Sequence, residues 1–340
     1  MNNNTYVFFR NDQREQHFEF TPNCNALDDV EYKYFGRVLS ELEPRIQNMG
    51  LTIYVTAWTV HELPSYGPNV ISCILQDEWG REPQYRNKVG MVFKTCGRSP
   101  FIKEAYGHGG LYDRISNALG QSKAYLNDKG GRTKTLCSRI KSKTIAPVHD
   151  IPIGCFAYED IPFIPFEDRE NDVFFAGSIR HLNNKLISIK RPKELARDRM
   201  SNALKVLQNN ESDLKIKTTI TQNFADSITD KTYAYLQTMM NTKICPIPRG
   251  ANLETFRFYE AIRYGCIPIG EAFPDQWFYK GAPIIRLKHW SDATKVIPEL
   301  INNPSRMNEL HEQALSWWNE KCSEQNLAHF MQQEIKKHYS

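Results

Sequence analysis

Between Lys243 and Gly270 the chain reads KICPIPRGANLETFRFYEAIRYGCIPIG: a short apolar run, a glycine turn, a segment of helical spacing, and a second apolar run. Arg249, Gly250, Asn252, Thr255, Arg257 and Glu260 fall in the seam between two elements that both look buried. Arginine, a glycine that lets backbone come close, and the free N–H groups of a helix start can together hold a phosphate or another anion. A carboxylate such as Glu260 can accept from a pair of neighbouring hydroxyls. Spacing alone fits a second reading equally well, in which Arg257 and Arg263, each three residues from Glu260, form ion pairs on a solvated helix face.

A second cationic set lies in FFAGSIRHLNNKLISIKRPKELARDRM, which follows an apolar run, turns at Gly177 and Ser178, and carries Arg180, Lys185, Lys190, Arg191, Arg197 and Arg199. It reads as an anion-binding loop or as a solvated basic face. Candidate proton acceptors stand in the first part of the chain. NVISCILQDEWGREPQY ends an apolar run in Asp77 and Glu78, two carboxylates that could equally be turn acids after a strand. His61, in TAWTVHELPSYGP, and His108, in AYGHGGLYDR, complete the set, because neutral imidazole accepts protons near pH 7. GHGG lacks the Gly-Lys-Ser/Thr ending of a P-loop, and no dinucleotide glycine fingerprint follows the first apolar run.

The elements that must position these residues are legible from periodicity. Apolar runs at 5–9, 51–57, 69–76 and 88–95 alternate with helical or turn segments, and the alternation resumes at 172–177, 213–220, KICPIP, CIPIG and 283–287. Runs rich in Val, Ile, Tyr and Phe between helices predict largely parallel sheets. Pro147, Pro152, Pro162 and Pro165 exclude a long helix from 145–168, which reads as an extended crossing segment. The division is therefore 1–150 for a first domain, 151–315 for a second, and 316–340 for a closing helix.

A chain of 340 residues with 41% hydrophobic residues can build a core in each of two domains. With 43 basic against 39 acidic residues the net charge is +4, which fits small anionic ligands and not a nucleic-acid surface. The start, MNNNTYVFFRND, lacks the basic and apolar regions of a signal peptide. No apolar run is long enough to span a bilayer, so the expected place is the cytoplasm, with peripheral contact at the inner membrane face. The eight cysteines show no CxxC pair and no zinc spacing, and are expected to be reduced thiols. Neither a metal nor a resident cofactor is expected.

The stretch with PRG, FRFYEA and GCIPI is similar to the carboxyl-terminal donor-binding signature of the exostosin-like glycosyltransferases, within the GT-B class. The likeness is close over 243–270 and loose over the rest of the second half. It implies an α/β fold of two Rossmann-like domains facing a central cleft. It also implies that 1–150 binds the acceptor and 151–315 the donor, with the 316–340 helix returning to the first domain. The implied activity is that of an inverting hexosyl- or pentosyltransferase acting in capsule or lipopolysaccharide synthesis. Metal independence is expected because the chain has no Asp-x-Asp motif, and a bacterial, cytoplasmic protein because the sequence shows no membrane anchor. The donor would be a nucleotide-diphosphate sugar, a UDP-sugar first, and the acceptor a glycan or glycolipid. In that family the residue matching Glu260 takes the nucleotide ribose, while PRG and the helix start lie near the diphosphate and sugar. GT-B enzymes also reach the diphosphate from the loop here holding Gly177 and Ser178, which makes Arg180 the first choice of phosphate ligand, ahead of Arg191, Arg197 and Arg199. The base is then expected from the first domain, Asp77 before Glu78, His61 and His108, with Trp79 as a ring for a sugar to stack on. Where many retaining GT-B enzymes carry a glutamate, eight residues before the ribose ligand, this chain has Asn252, a departure that leans towards inversion. The alternative is a non-catalytic carbohydrate- or nucleotide-binding protein of the same fold.

Overall fold

The computed structural model describes residues 3–9, 17–20, 32–97, 103–140, 145–178, 191–221 and 231–339. Its first sheet begins with β1 (Thr5–Phe9) and an antiparallel edge strand, β2 (His17–Phe20), which the sequence does not announce. β3 (Thr52–Thr56), β4 (Gly67–Ile74), β5 (Val89–Lys94) and β6 (Val148–Asp150) then add in parallel, giving the order β2-β1-β3-β4-β5-β6. In the second sheet β7 (Asn171–Ser178), β8 (Ile216–Thr221), β9 (Thr242–Ile247), β10 (Ile267–Gly270) and β11 (Ile285–Arg286) are all parallel, in the order β11-β10-β9-β7-β8.

These strands form because buried parallel strands want near-continuous β-branched and aromatic side chains, and the apolar runs supply them. Each residue of β5 is buried, Lys94 included. Helices fill the intervals: α1 (Lys33–Leu42), α2 (Leu111–Asn127), α3 (Lys129–Ile140), α4 (Pro192–Asn210), α5 (Lys231–Met240), α6 (Phe256–Arg263), α7 (Ala293–Ile301), α8 (Pro304–Lys321) and α9 (Glu324–Tyr339). The chain order reverses between β7 and β9, and such a reversal opens a crevice at the strands' carboxyl ends. The result is a two-sheet α/β arrangement, with the carboxyl ends of both sheets turned to one cleft.

The last helix and the crossing segment tie the halves together. α9 packs against α1, and the Tyr34 hydroxyl donates to the Cys322 carbonyl at 2.6 Å. The crossing segment passes so close to the Tyr34 ring that a Cβ at Gly154, whose φ is +69°, would lie 2.1 Å from it. Among the described residues no helix is long and apolar enough to cross a membrane.

Candidate active site

The cleft has a volume of about 520 Å³ and takes residues from both sheets and from the crossing segment. The first domain contributes Trp58 beyond β3 and Gln76 and Glu78 beyond β4. Gln76 has φ +62° and Cys96, beyond β5, φ +60°. Left-handed backbone at non-glycine residues costs free energy and gathers at functional sites.

The second domain supplies the cations. α4 opens with Pro192 at its first position, and the Glu194 carboxylate accepts from the Arg191 N–H at 3.2 Å, which fixes the helix start. Lys193 and Arg197, one turn apart, consequently share a face and line the cleft. The Arg197 guanidinium is held by Nη1 donating to the Ser178 carbonyl at 2.5 Å and Nε to the Arg249 carbonyl at 3.4 Å. Arg257 stands beside them, over the Phe175 ring at 4.6 Å, and donates to the Ala176 carbonyl. Gly177 makes room for it, since at φ +152° a Cβ there would meet Arg257 Nη2 at 2.6 Å. Burial, together with the neighbouring Arg197, holds the Lys193 ammonium down to about 8. Burial and then Arg257 likewise lower Arg197. Like charges crowded on one wall raise each other's energy, and a polyanion would relieve it.

α6 has two jobs. Thr255 is its N-cap without a side-chain cap bond, and the Thr255 hydroxyl, Arg257 Nε and Glu254 Oε2 are buried with no hydrogen-bond partner among the described residues. All three residues line the cleft. On the same helix Glu260 is 4% exposed, which overturns the solvated-face reading. Its Oε1 accepts from the Ala157 N–H at 3.0 Å and its Oε2 from the Tyr235 hydroxyl at 2.6 Å. Arg263 turns away from it, to Asp160 at 3.1 Å and across the Tyr158 ring at 3.8 Å. Glu254 Oε1 accepts from the Ile153 N–H at 2.9 Å. The charges in the seam thus fasten the crossing segment onto α6. Burial raises the Glu260 carboxyl, and takes Glu254 further, to about 7.

Of the expected residues, Glu78, Gly177, Ser178, Arg197, Gly250, Thr255, Arg257 and Glu260 meet in the cleft. The others stand elsewhere. Asp77 is fully buried: Thr59 Oγ1 donates to its Oδ2 at 2.5 Å, Lys94 Nζ lies 3.1 Å away, and Arg81 Nε donates to Oδ1 at 3.1 Å. Burial by itself would raise this carboxyl, yet Lys94, Thr59 and Arg81 outweigh it and hold the carboxyl below the ordinary range. An acid so committed is a poor base, and its partner is a buried lysine. Asp77→Asn should therefore destabilise the protein by about 3–5 kcal/mol, as breaking buried pairs does, read as a fall in the urea midpoint. An unchanged midpoint would return Asp77 to the candidate bases. The sign with pH follows: a depressed acid adds stability above its unfolded value, near 3.9, and loses it as pH falls through the folded one.

His61 is exposed and meets Gln84 at 3.2 Å, outside the cleft. His108 is buried under the Leu287 carbonyl at 2.9 Å, with Nε2 4.0 Å from Glu271. The Arg249 side chain leaves the cleft for Asn117 of α2, in a separate void of about 10 Å³ with His108 and Arg199. Asn252 is a clasp between the domains, its Nδ2 donating to the carbonyls of Glu78 at 3.3 Å and Cys96 at 3.4 Å. Arg191 is exposed at the α4 cap, Arg199 pairs with Asp113, and Arg180 lies outside the described residues. Trp79 is exposed, and Trp58 is the indole that lines the cleft.

Sequence reasoning passes over Lys193, Glu254 and Trp58. For Lys193 a signal was present: Pro192 before Glu194 marks a helix start and fixes which cations share a face. Glu78 is the carboxylate that faces the cations from the other domain. Burial raises it, Lys193 and Arg197 counter in part, and its Oε1 would lie 3.8 Å from a Cβ placed on Gly250.

Residues 111–277 match the Exostosin GT47 domain. An exostosin-1 homolog of Caenorhabditis elegans is 34% identical over 92 residues, which are 24% of this chain and 23% of that protein, so the matched part is about a quarter of either. Among solved structures the chain is similar to the GtfA/B complex, with TM-score 0.43 and 10% identity over 79% of this chain and 57% of that one. It is also similar to the glycosylation-associated Gap123 complex of Streptococcus agalactiae, with TM-score 0.35 and 9% identity over 82% and 56%.

Proposed function

We propose that this chain, whose residues 111–277 match the Exostosin GT47 domain, is an exostosin-like glycosyltransferase that moves a sugar from a nucleotide-diphosphate donor, a UDP-sugar first, to a hydroxyl of a glycan or glycolipid in cell-surface polysaccharide synthesis. The observation that carries this reading is the wall of Lys193, Arg197 and Arg257 facing Glu78 across the cleft. The diphosphate lies on the three cations and the α6 N-terminus, where Thr255 offers an unpartnered hydroxyl. The ribose meets Glu260, and the base lies against Tyr235 and Phe156. In a single displacement the Glu78 carboxylate takes the acceptor hydroxyl's proton as that oxygen attacks the anomeric carbon on the face opposite the leaving group. The carbon–oxygen bond to the diphosphate breaks with inversion. The leaving phosphate gains negative charge, which the fixed cations stabilise in place of a metal.

Thermal shift with a panel of nucleotide sugars tests the donor class. A ligand at 100-fold its dissociation constant adds about 2.7 kcal/mol to the native state. No shift with any nucleotide diphosphate would remove the reading, and a shift without transfer or hydrolysis would leave a binding protein. EDTA should leave turnover intact. The depressed Lys193 adds a pH signature. A bound diphosphate raises its pKa, so binding takes up a proton above pH 8, and donor affinity should weaken there by up to about tenfold per pH unit. Calorimetry at pH 7 and 9 reads this dependence, and Lys193→Gln should abolish it.

A further inference from the structure

α2 is built inside out. A surface helix ordinarily turns its apolar stripe to the core and its polar face to water. Here Asp113, Ser116, Asn117 and Gln121 are buried. Asp113 pairs with Arg199, Asn117 donates to the Ala105 carbonyl at 2.9 Å, and Gln121 accepts from the Tyr106 hydroxyl at 2.8 Å. The opposite stripe, Leu111, Ile115, Leu119 and Leu126, points outward, and α3 adds Leu136 and Ile140. Their exposures run from 48% to 74% and 75% at the ends of the surface. Of the fourteen large apolar side chains exposed among the described residues, eight belong to these two helices, so they form a patch and not scattered singles.

Charge names the occupant. Residues 111–140 hold six basic side chains and two acidic ones, Asp113 and Asp128. Both acids are buried on the inward side, and Asp128 is paired with Arg132 at 2.9 Å. Arg114 and Lys123 stand exposed at the two borders of the apolar stripe. An apolar stripe bordered by cations and cleared of acids matches an interface that is greasy within and negative at its rim. We propose that α2 and α3 form a face that binds the surface of an anionic lipid bilayer, with Ile115 and Leu119 seated among the acyl chains and Arg114 and Lys123 at the headgroups. This face is separate from the cleft, and the proposal stands whether or not the cleft transfers a sugar.

Co-sedimentation of the full chain with phosphatidylcholine vesicles, with and without phosphatidylglycerol, tests it. The chain should pellet with the anionic vesicles, release in high salt, and pellet weakly with neutral ones. The double substitution Ile115→Glu/Leu119→Glu should lower the bound fraction about tenfold or more, with the circular dichroism spectrum and melting temperature kept, because both side chains are exposed. Lys123→Glu should weaken binding to anionic vesicles alone. Two results would overturn the proposal: a chain left in the supernatant with anionic vesicles at low salt, or a double variant that pellets like the parent. A lipid-free dimer that the same double variant dissolves would give the face to a second copy of the chain, and would equally refute a lipid role.

Discussion

Exchange of Arg197 for alanine is expected to lower turnover by about 10²–10³-fold, the usual cost of deleting one fixed donor from a developing oxyanion. The geometry makes Arg197 the strongest of the three cations in this respect. Its Nε and Nη1 are spent on the carbonyls of Arg249 and Ser178, which fixes the guanidinium plane and leaves Nη2 for a ligand. A donor that need not reorganise favours the transition state over the ground state. Turnover and the ratio kcat/KM should therefore fall together, whereas a rise in KM alone would mean uniform binding of the phosphate. Alanine also deletes the two carbonyl contacts, so some stability will be lost. Arg197→Lys, which keeps the charge without the fork, separates the effects: it should recover stability more fully than rate. Turnover within about threefold of the parent in the alanine protein would take the phosphate away from this wall.

The fold was legible because parallel strands buried on both faces have to be near-continuous apolar runs, which need no more than β-branched or aromatic side chains at the right spacing. β1 through β5 can be read in this way with the exception of β2, whose sequence, HFEF, alternates polar and apolar on an antiparallel edge. β6 hides inside the proline-rich crossing segment, where three residues suffice to extend the sheet. Length and composition gave no sign of either.

The site was legible only as far as types and loops, because side-chain direction is set by phase. Asp77 and Glu78 are neighbours in the turn beyond β4, where Gln76 takes a φ of +62° and the Glu78 N–H donates to the Gln76 carbonyl at 2.9 Å, so their directions follow from turn geometry that the sequence does not show. One turns inward to Lys94 and the other into the cleft. Arg249 and Gly250 divide in the same manner, the arginine reaching α2 and the glycine lining the cleft. On α4 the helix phase sorts the cations: Lys193 and Arg197 are one turn apart, while Arg199 falls on the side facing Asp113. Glu260 was readable as a cleft-side carboxylate from its motif, but its hold on the crossing segment could not be seen. The Ala157 N–H that it accepts is more than a hundred residues distant in sequence, and only the folded crossing segment brings it there.

That division of neighbouring acids bears directly on proton transfer. Glu78→Gln keeps the shape and most of the hydrogen bonding of the side chain and removes its basicity, so turnover should fall by about 10²–10⁴-fold. Donor affinity should change little, since Lys193, Arg197, Arg257 and Glu260 all remain and none of them belongs to the same domain as Glu78. The burial that raises the Glu78 carboxyl also makes it a stronger base than an exposed glutamate, and the acid limb of the kcat/KM profile in the parent should disappear in the Gln protein. Glu254 is the rival. It is buried at the cleft, its Oε2 lacks a hydrogen-bond partner, and its carboxyl is pushed up to about 7. Its Oε1, however, already holds the Ile153 N–H and the Tyr259 hydroxyl, which ties it to the crossing segment more than to an incoming acceptor. Glu254→Gln should consequently cost less turnover than Glu78→Gln. The reverse ranking, with near-normal turnover in the Glu78→Gln protein and intact donor binding in both, would move the base to Glu254 and place the proton acceptor on the donor's own domain.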